Sequence, residues 1–343
     1  MENTVDLKKI LYLAVHEINY GWGAEHFVNK GFIASGVKTV CIDFRKLRKT
    51  IVNQIKEVES FDYFLLQRGD NFPIKILKAI NRPKFFWASE LVSRNRDQDR
   101  LFKSNLFDHV FVRTIACKET IVSKGWLKED CISIMLSGFD PETHYPLPNS
   151  EKDIDVLFIG NVLNRRKIWL HEIRKHCALT IADGVYGEEM VKLINRSKII
   201  LNIHSEDFLD TETRVFEVLG CKGFLLSEKL SIENPFKDRL HFVECTDLPD
   251  MITQTKYYLN NEIQINRIAE QGYLEALANH TYQKRAEHIS ELFSLYSYPN
   301  NTEAINMKML NASKLESFIL FLYDYCIGKV QNIRQRVKQI IKL

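Results

Sequence analysis

No C-x-x-C pair occurs in the chain, and its seven cysteines, at 41, 117, 131, 177, 221, 245 and 326, are odd in number and scattered. That spacing excludes a zinc ribbon and offers no disulfide framework, so a reducing cytosol is the expected setting. Long apolar runs are missing as well. No stretch reaches the roughly 20 apolar residues a bilayer-spanning helix needs, and the start MENTVDLKKILYLAV carries acidic residues instead of a basic signal-peptide cluster. Charge of one sign is scarce: 47 basic residues against 44 acidic ones leave +3, so any basic surface must be local and nucleic acid is not an expected partner. No repeat of fixed period is present, which argues against a solenoid.

What is present is a globular composition, 45% hydrophobic and 27% charged, over 343 residues, enough for two domains each with its own core. Short apolar runs alternate with longer amphipathic stretches: KKILYLAV, AEHFVNKGFIASG, KTVCIDF, KLRKTIVNQIKEVES, FDYFLLQ, then RPKFFWAS, FDHVFVRT, IACKETIVSKGW and CISIMLSG. This βαβ rhythm predicts an α/β domain over 1–138 with about six strands in a mostly parallel sheet. The segment 139–153, FDPETHYPLPNSEKD, has three prolines and no periodicity and reads as a linker. A second α/β series over 154–295 runs through IDVLFIGN, RRKIWLHEIRKHC, SKIILNIH, TRVFEVLGC, GFLLS and LHFVEC, and a helical basic tail occupies 296–343. The expected fold is therefore two Rossmann-like domains facing across a cleft, with a helical extension. Ligands of open α/β sheets bind beyond the carboxyl ends of the strands, so useful residues should follow strands.

TETRVFEVLGCKGFLLSE, 211–228, sets two opposite charges in a core-like segment. A helix starting near Asp210 or Thr213 puts Arg214 and Glu217 on one face as an i,i+3 pair, and Gly220 and Gly223 end it before a buried strand. Together with SKIILNIH, with IDVLFIGN followed by two arginines, and with HTYQKRAEHI, this segment resembles the CgeB-like (spore-maturation) glycosyltransferases, which are similar to the two-domain GT-B transferases. The resemblance covers roughly 105–295. It implies that the chain is an enzyme, moving a sugar from a nucleoside-diphosphate sugar to a hydroxyl acceptor such as a cell-envelope or lipid-linked glycan. It also implies that Glu217 holds the donor ribose, a role suited to a carboxylate that accepts two hydroxyl hydrogen bonds. Two positions depart from the pattern: Leu209 stands where many retaining members have a second glutamate, and Lys222 where glycine is usual.

GNVLNRRK, 160–167, follows a strand and opens a helix, so Gly160 and Asn161 offer backbone N–H groups and Arg165, Arg166 and Lys167 add positive charge. That combination suits a diphosphate, with Arg165 and Lys167 preferred over Arg166; the alternative is a solvated basic helix start. Gly220, closing the 213–220 helix, is grouped with the donor side. HEINYGWGAEH, 16–26, places His16, Glu17 and His26 after the first strand as candidates for a general base or acceptor contact, with Arg214 as a catalytic cation. The same loop imitates a dinucleotide fingerprint through Gly21, Gly23 and Asp43, with His26 at the third glycine position, which keeps a nicotinamide-dependent oxidoreductase as an alternative. A non-catalytic sugar-nucleotide-binding module is another.

No metal site or cofactor is expected. Asp97-Gln98-Asp99 sits among arginines in a helix-like stretch, and the histidines of HEIRKH are five apart where a zinc helix needs four. At the end, Cys326, Val330, Ile333, Val337 and Ile340 recur at helical spacing while Lys329, Arg334, Arg336, Lys338 and Lys342 supply charge. With FILFLY before it, this stretch, 318–343, suits either an anionic membrane surface or packing on protein, and a cytoplasmic, peripherally bound enzyme is the expectation.

Overall fold

The computed structural model describes residues 8–16, 21–46, 49–88, 91–92, 96–206, 208–299 and 302–326. In chain order the first elements are β1 (Lys9–Ala14), α1 (Ala24–Ala34), β2 (Lys38–Asp43), α2 (Ile51–Lys56), β3 (Tyr63–Gln67), α3 (Ile74–Ala79), β4 (Lys84–Trp87), α4 (Arg96–Lys103), β5 (His109–Val112), α5 (Ile115–Ser123) and β6 (Ile132–Ile134). A second series follows with β7 (Ile154–Ile159), α6 (Asn164–Arg174), β8 (Leu179–Ala182), α7 (Gly187–Arg196), β9 (Ser197–Asn202), α8 (Thr213–Gly220), β10 (Leu225–Glu228) and β11 (Val243–Cys245). Helices α9 (Leu248–Leu259), α10 (Glu262–Asn279), α11 (Tyr282–Phe293) and α12 (Met307–Ala312) complete it.

Two compact units result, each an α/β domain on one parallel sheet. Unit 1 comprises 1–25, 32–135 and 289–343, and unit 2 comprises 26–31 and 136–288. The sheet of unit 1 has the order β2-β1-β3-β4-β5-β6 and that of unit 2 the order β11-β10-β9-β7-β8. Central strands such as YFLLQ of β3 and HVFV of β5 are buried at every residue, as expected where helices cover both faces of a parallel sheet. The edge strand β8 buries only Ala182, so its LTIA lacks the continuous apolar signature and neither it nor α7 stands out in the sequence.

The unit boundaries differ from the sequence expectation in two places. Residues 139–153 do not behave as a free linker: Phe139, Asp140 and His144 are buried, and Phe139 bridges to Thr281 inside unit 2. Absence of periodicity marks irregular backbone, and the start of this segment is packed while its second half is largely exposed. Nor does unit 2 run to 295 with a separate tail from 296. Phe293 stacks on Tyr63 at 4.3 Å in unit 1, Ile305 bridges to Ile80, and Leu310 of α12 is fully buried. Apolar residues at these three positions return the end of the chain to the first core.

Helix α8 ends as its glycines foretell, with one substitution of roles. Lys222, not a glycine, takes the left-handed conformation at φ 56°, while its N–H donates to Leu219 O at 2.9 Å and that of Gly223 to Val218 O at 2.9 Å. Its ammonium pairs with the half-exposed Glu270 and so is directed neither at a phosphate nor simply into water. A left-handed non-glycine residue costs about 1 kcal/mol, more than an exposed ion pair returns. Lys222→Gly should therefore stabilise the protein by about 0.5–1 kcal/mol in urea unfolding. A destabilised variant would show that the Glu270 pair dominates.

Candidate functional site

In the second sheet the order reverses at β7, which has β8 on one side and β9 on the other. The crevice beyond the carboxyl ends of β7 and β9 is the topological position for a ligand in such a sheet. Gly160 leaves β7 at φ 151°, a conformation that side chains rarely adopt, and its N–H is held by Ala182 O at 3.1 Å. Asn161 is exposed in the loop that follows. Helix α6 then begins behind Leu163, which gives no side-chain cap, so the first-turn N–H groups and the positive dipole end face this crevice.

The three cations of GNVLNRRK separate. Arg165 forms a two-pronged ion pair with Glu228 at the end of β10, one contact at 2.7 Å, and donates to His204 O at 3.2 Å. Its guanidinium also lies 4.4 Å from the Trp169 ring centre. Arg166 donates to Ile203 O at 2.7 Å and to Asn161 O at 3.2 Å, tying the β7 loop to the end of β9. Lys167 is exposed on α6. Arg165 is thus a built-in partner of Glu228 as well as a cation at the crevice, which the sequence does not disclose.

His204, just after β9, organises the centre. Its Nδ1 lies 2.8 Å from Glu212 Oε1 and its Nε2 donates to Lys229 O at 2.8 Å, while its own N–H donates to Glu228 Oε2 at 2.7 Å. Both ring nitrogens face acceptors, the arrangement an imidazolium satisfies. Burial works against the charge, but the hydrogen bond and charge of Glu212 outweigh it and raise the His204 pKa. Burial likewise opposes ionisation of Glu212, yet the His204 contact and the Asn202 amide, 3.0 Å away, hold its carboxyl below the ordinary range.

These contacts also change the helix start. The cap position of α8 falls to Glu212, neither Asp210 nor Thr213, and it makes no side-chain cap because its carboxylate serves His204 and Asn202. Arg214 and Glu217 do pair across one turn, at 2.8 Å. His144 Nδ1 accepts the Asp140 N–H at 3.3 Å, and its Nε2 sits 3.8 Å from the other Glu217 oxygen. Burial, the largest influence, lowers the His144 pKa, so a neutral ring with Nε2–H directed at Glu217 fits the geometry. Glu217 is partly exposed and retains acceptor capacity beyond these two contacts.

Gly220, grouped with the donor side from the sequence, has a packing neighbour. It is buried, and a Cβ there would collide with the Phe139 ring, so this glycine permits close packing. Leu209, where a second glutamate was sought, is exposed. His204, Glu212, Glu228 and His144 escaped sequence reasoning; the first and third were findable as residues at strand ends of the reversal point, whereas His144 was hidden in a segment read as linker.

In unit 1, His16 follows β1 with its ring edge-on to Tyr12 at 4.9 Å, whereas His26, on α1, is exposed and belongs to unit 2. Residues 26–31 of α1 are grouped with unit 2. Glu17 lies outside the described residues. Sequence reasoning passed over Glu25, which is buried 3.6 Å from Arg68; burial pushes its carboxyl up and Arg68 only partly offsets this. Asp43, the ribose carboxylate of the oxidoreductase alternative, closes the turn after β2, its Oδ1 accepting the N–H groups of Arg45 at 3.0 Å and Lys46 at 2.9 Å. Among the described residues no group of three His, Cys, Asp or Glu side chains is placed to hold a metal ion.

A pH test follows from His204. Because the folded protein holds this proton more tightly than the unfolded chain, the contribution is complete below the ordinary value of 6.5 and fades as pH rises through the folded value. The stability advantage of the native protein over His204→Gln, measured by urea unfolding between about pH 5.5 and 8.5, should therefore shrink toward alkaline pH. A pH-independent difference would mean that His204 is neutral throughout.

Residues 144–291 match the family model described as "Glycosyl transferase-like". No curated protein matches the chain. Among solved structures, the chain is similar to Anabaena HepE in complex with UDP and glucose, at 11% identity and a TM-score of 0.64, covering 84% of this chain and 100% of that one. It is similar to sucrose-phosphate synthase from Thermosynechococcus elongatus at 10% identity and a TM-score of 0.61, covering 84% and 98%. An alpha-glucosyltransferase in complex with UDP and DNA is similar at 12% identity and a TM-score of 0.61, covering 84% and 100%. At such identities the likeness shows the fold alone, two parallel-sheet, Rossmann-like units as in the GT-B fold, and residues 144–291 are similar to the glycosyl transferase-like family.

Proposed function

We propose that the protein is a CgeB-like glycosyltransferase that moves a sugar from a nucleoside-diphosphate sugar to a hydroxyl acceptor on a cell-envelope or surface glycan. The observation that carries this reading is the charged cluster at the carboxyl ends of β7, β9 and β10, lying within the segment matched by the family model. Three guanidiniums and the His204 imidazolium face three carboxylates there, which leaves a net positive site when His204 is protonated. A leaving diphosphate gains negative charge as the bond from its oxygen to the sugar anomeric carbon breaks, and preoriented cations stabilise that charge without reorganising. The acceptor oxygen forms the new bond to the same carbon and gives its proton to a base, for which His16, Glu17 and His26 are the candidates. No metal ion is invoked for this charge stabilisation. The similar HepE structures hold UDP and UDP-glucose, so a uridine donor is the first to try.

In this reading Arg165, Lys167 and Arg214 attend the diphosphate, with the N–H groups of the Gly160-Asn161 loop and the α6 start, and Glu217 accepts the ribose hydroxyls. Removing Arg165 or Arg214 should lower turnover about 10²-fold. Full activity in Arg214→Ala would reduce that residue to the pairing partner of Glu217. The ribose role has its own internal control. The native protein should bind UDP more tightly than 2′-deoxy-UDP by about tenfold or more, the worth of one hydrogen bond to a charged group, and Glu217→Ala should erase the preference. An unchanged ratio in the variant would leave Glu217 serving only Arg214 and His144.

The same proposal places the enzyme on the cytoplasmic face of an anionic membrane through 318–343. Leu315, Phe318, Ile319, Leu322 and Tyr323 are exposed, while Glu316 on the same segment accepts the N–H groups of Ile74 at 3.1 Å and Lys75 at 2.9 Å, so a polar contact holds an apolar stripe outward. The basic residues from Lys329 onward lie outside the described residues. No helix among the described residues is long and apolar enough to cross a membrane. Deleting 329–343 should abolish co-sedimentation with anionic vesicles while leaving sugar-nucleotide hydrolysis intact; unchanged co-sedimentation would remove the membrane from the proposal.

A further inference from the structure

A cavity of about 440 Å³ opens in unit 2, lined in part by Arg239, Gln254, Tyr257, Tyr258, Gln264 and Arg267. It lies away from the crevice described above. Arg239 precedes β11, and α9 runs back from the carboxyl end of that strand, so the second half of α9 and the start of α10 border the amino end of the sheet. Nothing in the transfer chemistry uses these residues.

Two arginines line the cavity. Arg239 is held in a left-handed conformation at φ 58°, uncommon for a residue with a side chain. Its Nη1 donates to Gln254 Oε1 and to the Tyr258 hydroxyl, each at 3.4 Å, and Gln254 is in turn fixed by Asp250 Oδ1 at 3.0 Å. These long contacts keep the guanidinium beside Gln254 and Tyr258 at the cavity wall. Arg267, exposed on α10, supplies a second. Two acids stand near Arg239: Asp238 Oδ2 is 3.9 Å from its Nε across an exposed pair, with Oδ1 accepting the Glu244 N–H at 2.7 Å, and Asp250, bonded to Gln254, is held, against burial, below the ordinary carboxylate range in part by hydrogen bonds from Thr246 and Gln254 and by the Arg239 charge.

The remaining walls say what accompanies the anion. The volume falls in the range of small-molecule sites and exceeds what one oxyanion fills. Tyr257, half exposed and edge-on to the buried Tyr258 at 4.9 Å between centres, presents an aromatic face, and Gln264 and Thr253 supply amide and hydroxyl groups for hydrogen bonding. We propose that this cavity binds a phosphorylated saccharide, with the phosphate on Arg239 and Arg267 and the sugar ring against Tyr257. A guanidinium recognises phosphate through its own two parallel N–H donors, and an aromatic side chain with planar amides suits a ring of hydroxyls.

Calorimetric titration of the full chain with glucose 6-phosphate, glucose and inorganic phosphate tests this. The phosphorylated sugar should bind at least tenfold more tightly than either of the others. Arg267→Gln, an exposed helix substitution that leaves folding intact, should weaken it at least tenfold, as should Arg239→Asn, in which asparagine tolerates the left-handed backbone. Tyr257→Ala should remove the advantage over inorganic phosphate, and saturating UDP should leave the binding unchanged. Equal binding of sugar phosphate and inorganic phosphate, indifference to both arginine variants, or displacement of the sugar phosphate by UDP would each overturn the proposal.

Discussion

The carboxylate of Glu228 holds together the candidate site of unit 2. It ends β10, receives both prongs of Arg165 from α6, and accepts the backbone N–H of His204 beyond β9. One side chain therefore joins three elements that are distant in sequence but adjacent in the sheet. Such a group is stable in a buried position only when its lone pairs are filled, because an unpaired buried charge costs several kcal/mol. The neighbours of Glu228 are correspondingly constrained: Arg165 must point inward, and the chain after β9 must turn so that His204 faces Glu212.

That constraint explains why the cluster alternates in sign. Glu212 is held by Asn202 and His204, Glu217 by Arg214 and His144, and Arg166 by the carbonyls of Ile203 and Asn161. Each charge is oriented before any ligand arrives. Preoriented charge is what a reaction that expels a diphosphate requires, since the groups then need not move as charge develops. The cost is paid in isolation from the core: the apolar residues of α8, including Val215, Phe216, Val218 and Leu219, are fully buried on its other faces.

Much of this was legible in advance. The strands KILYLA, YFLLQ, IDVLFI and SKIILN read as continuous apolar runs, and the pair Arg214–Glu217 followed from a three-residue spacing on one helix. The glycine-containing loop after β7 was recognisable because a strand precedes it and a helix follows. Other features carried no local signal. The edge strand β8 is short and half exposed, Gly220 is small because of Phe139, which is 81 positions earlier in the chain, and Glu25 owes its raised pKa to burial beside Arg68.

By itself the sequence determined the two parallel-sheet domains and the segments that would carry charge to strand ends, because apolar periodicity, turn residues and one-turn helix spacings are local properties of the chain. Only the tertiary structure decided which charges meet. Arg165 and Glu228 are 63 positions apart, and His204 and Glu228 24 apart, yet both pairs are bonded because β7, β9 and β10 are neighbours in the sheet. It also decided that Lys222 would take a glycine's conformation and that Phe139, Asp140 and His144 would be buried at the start of 139–153. Strand order is set by which cores close around which runs, a global outcome that no short window of residues contains.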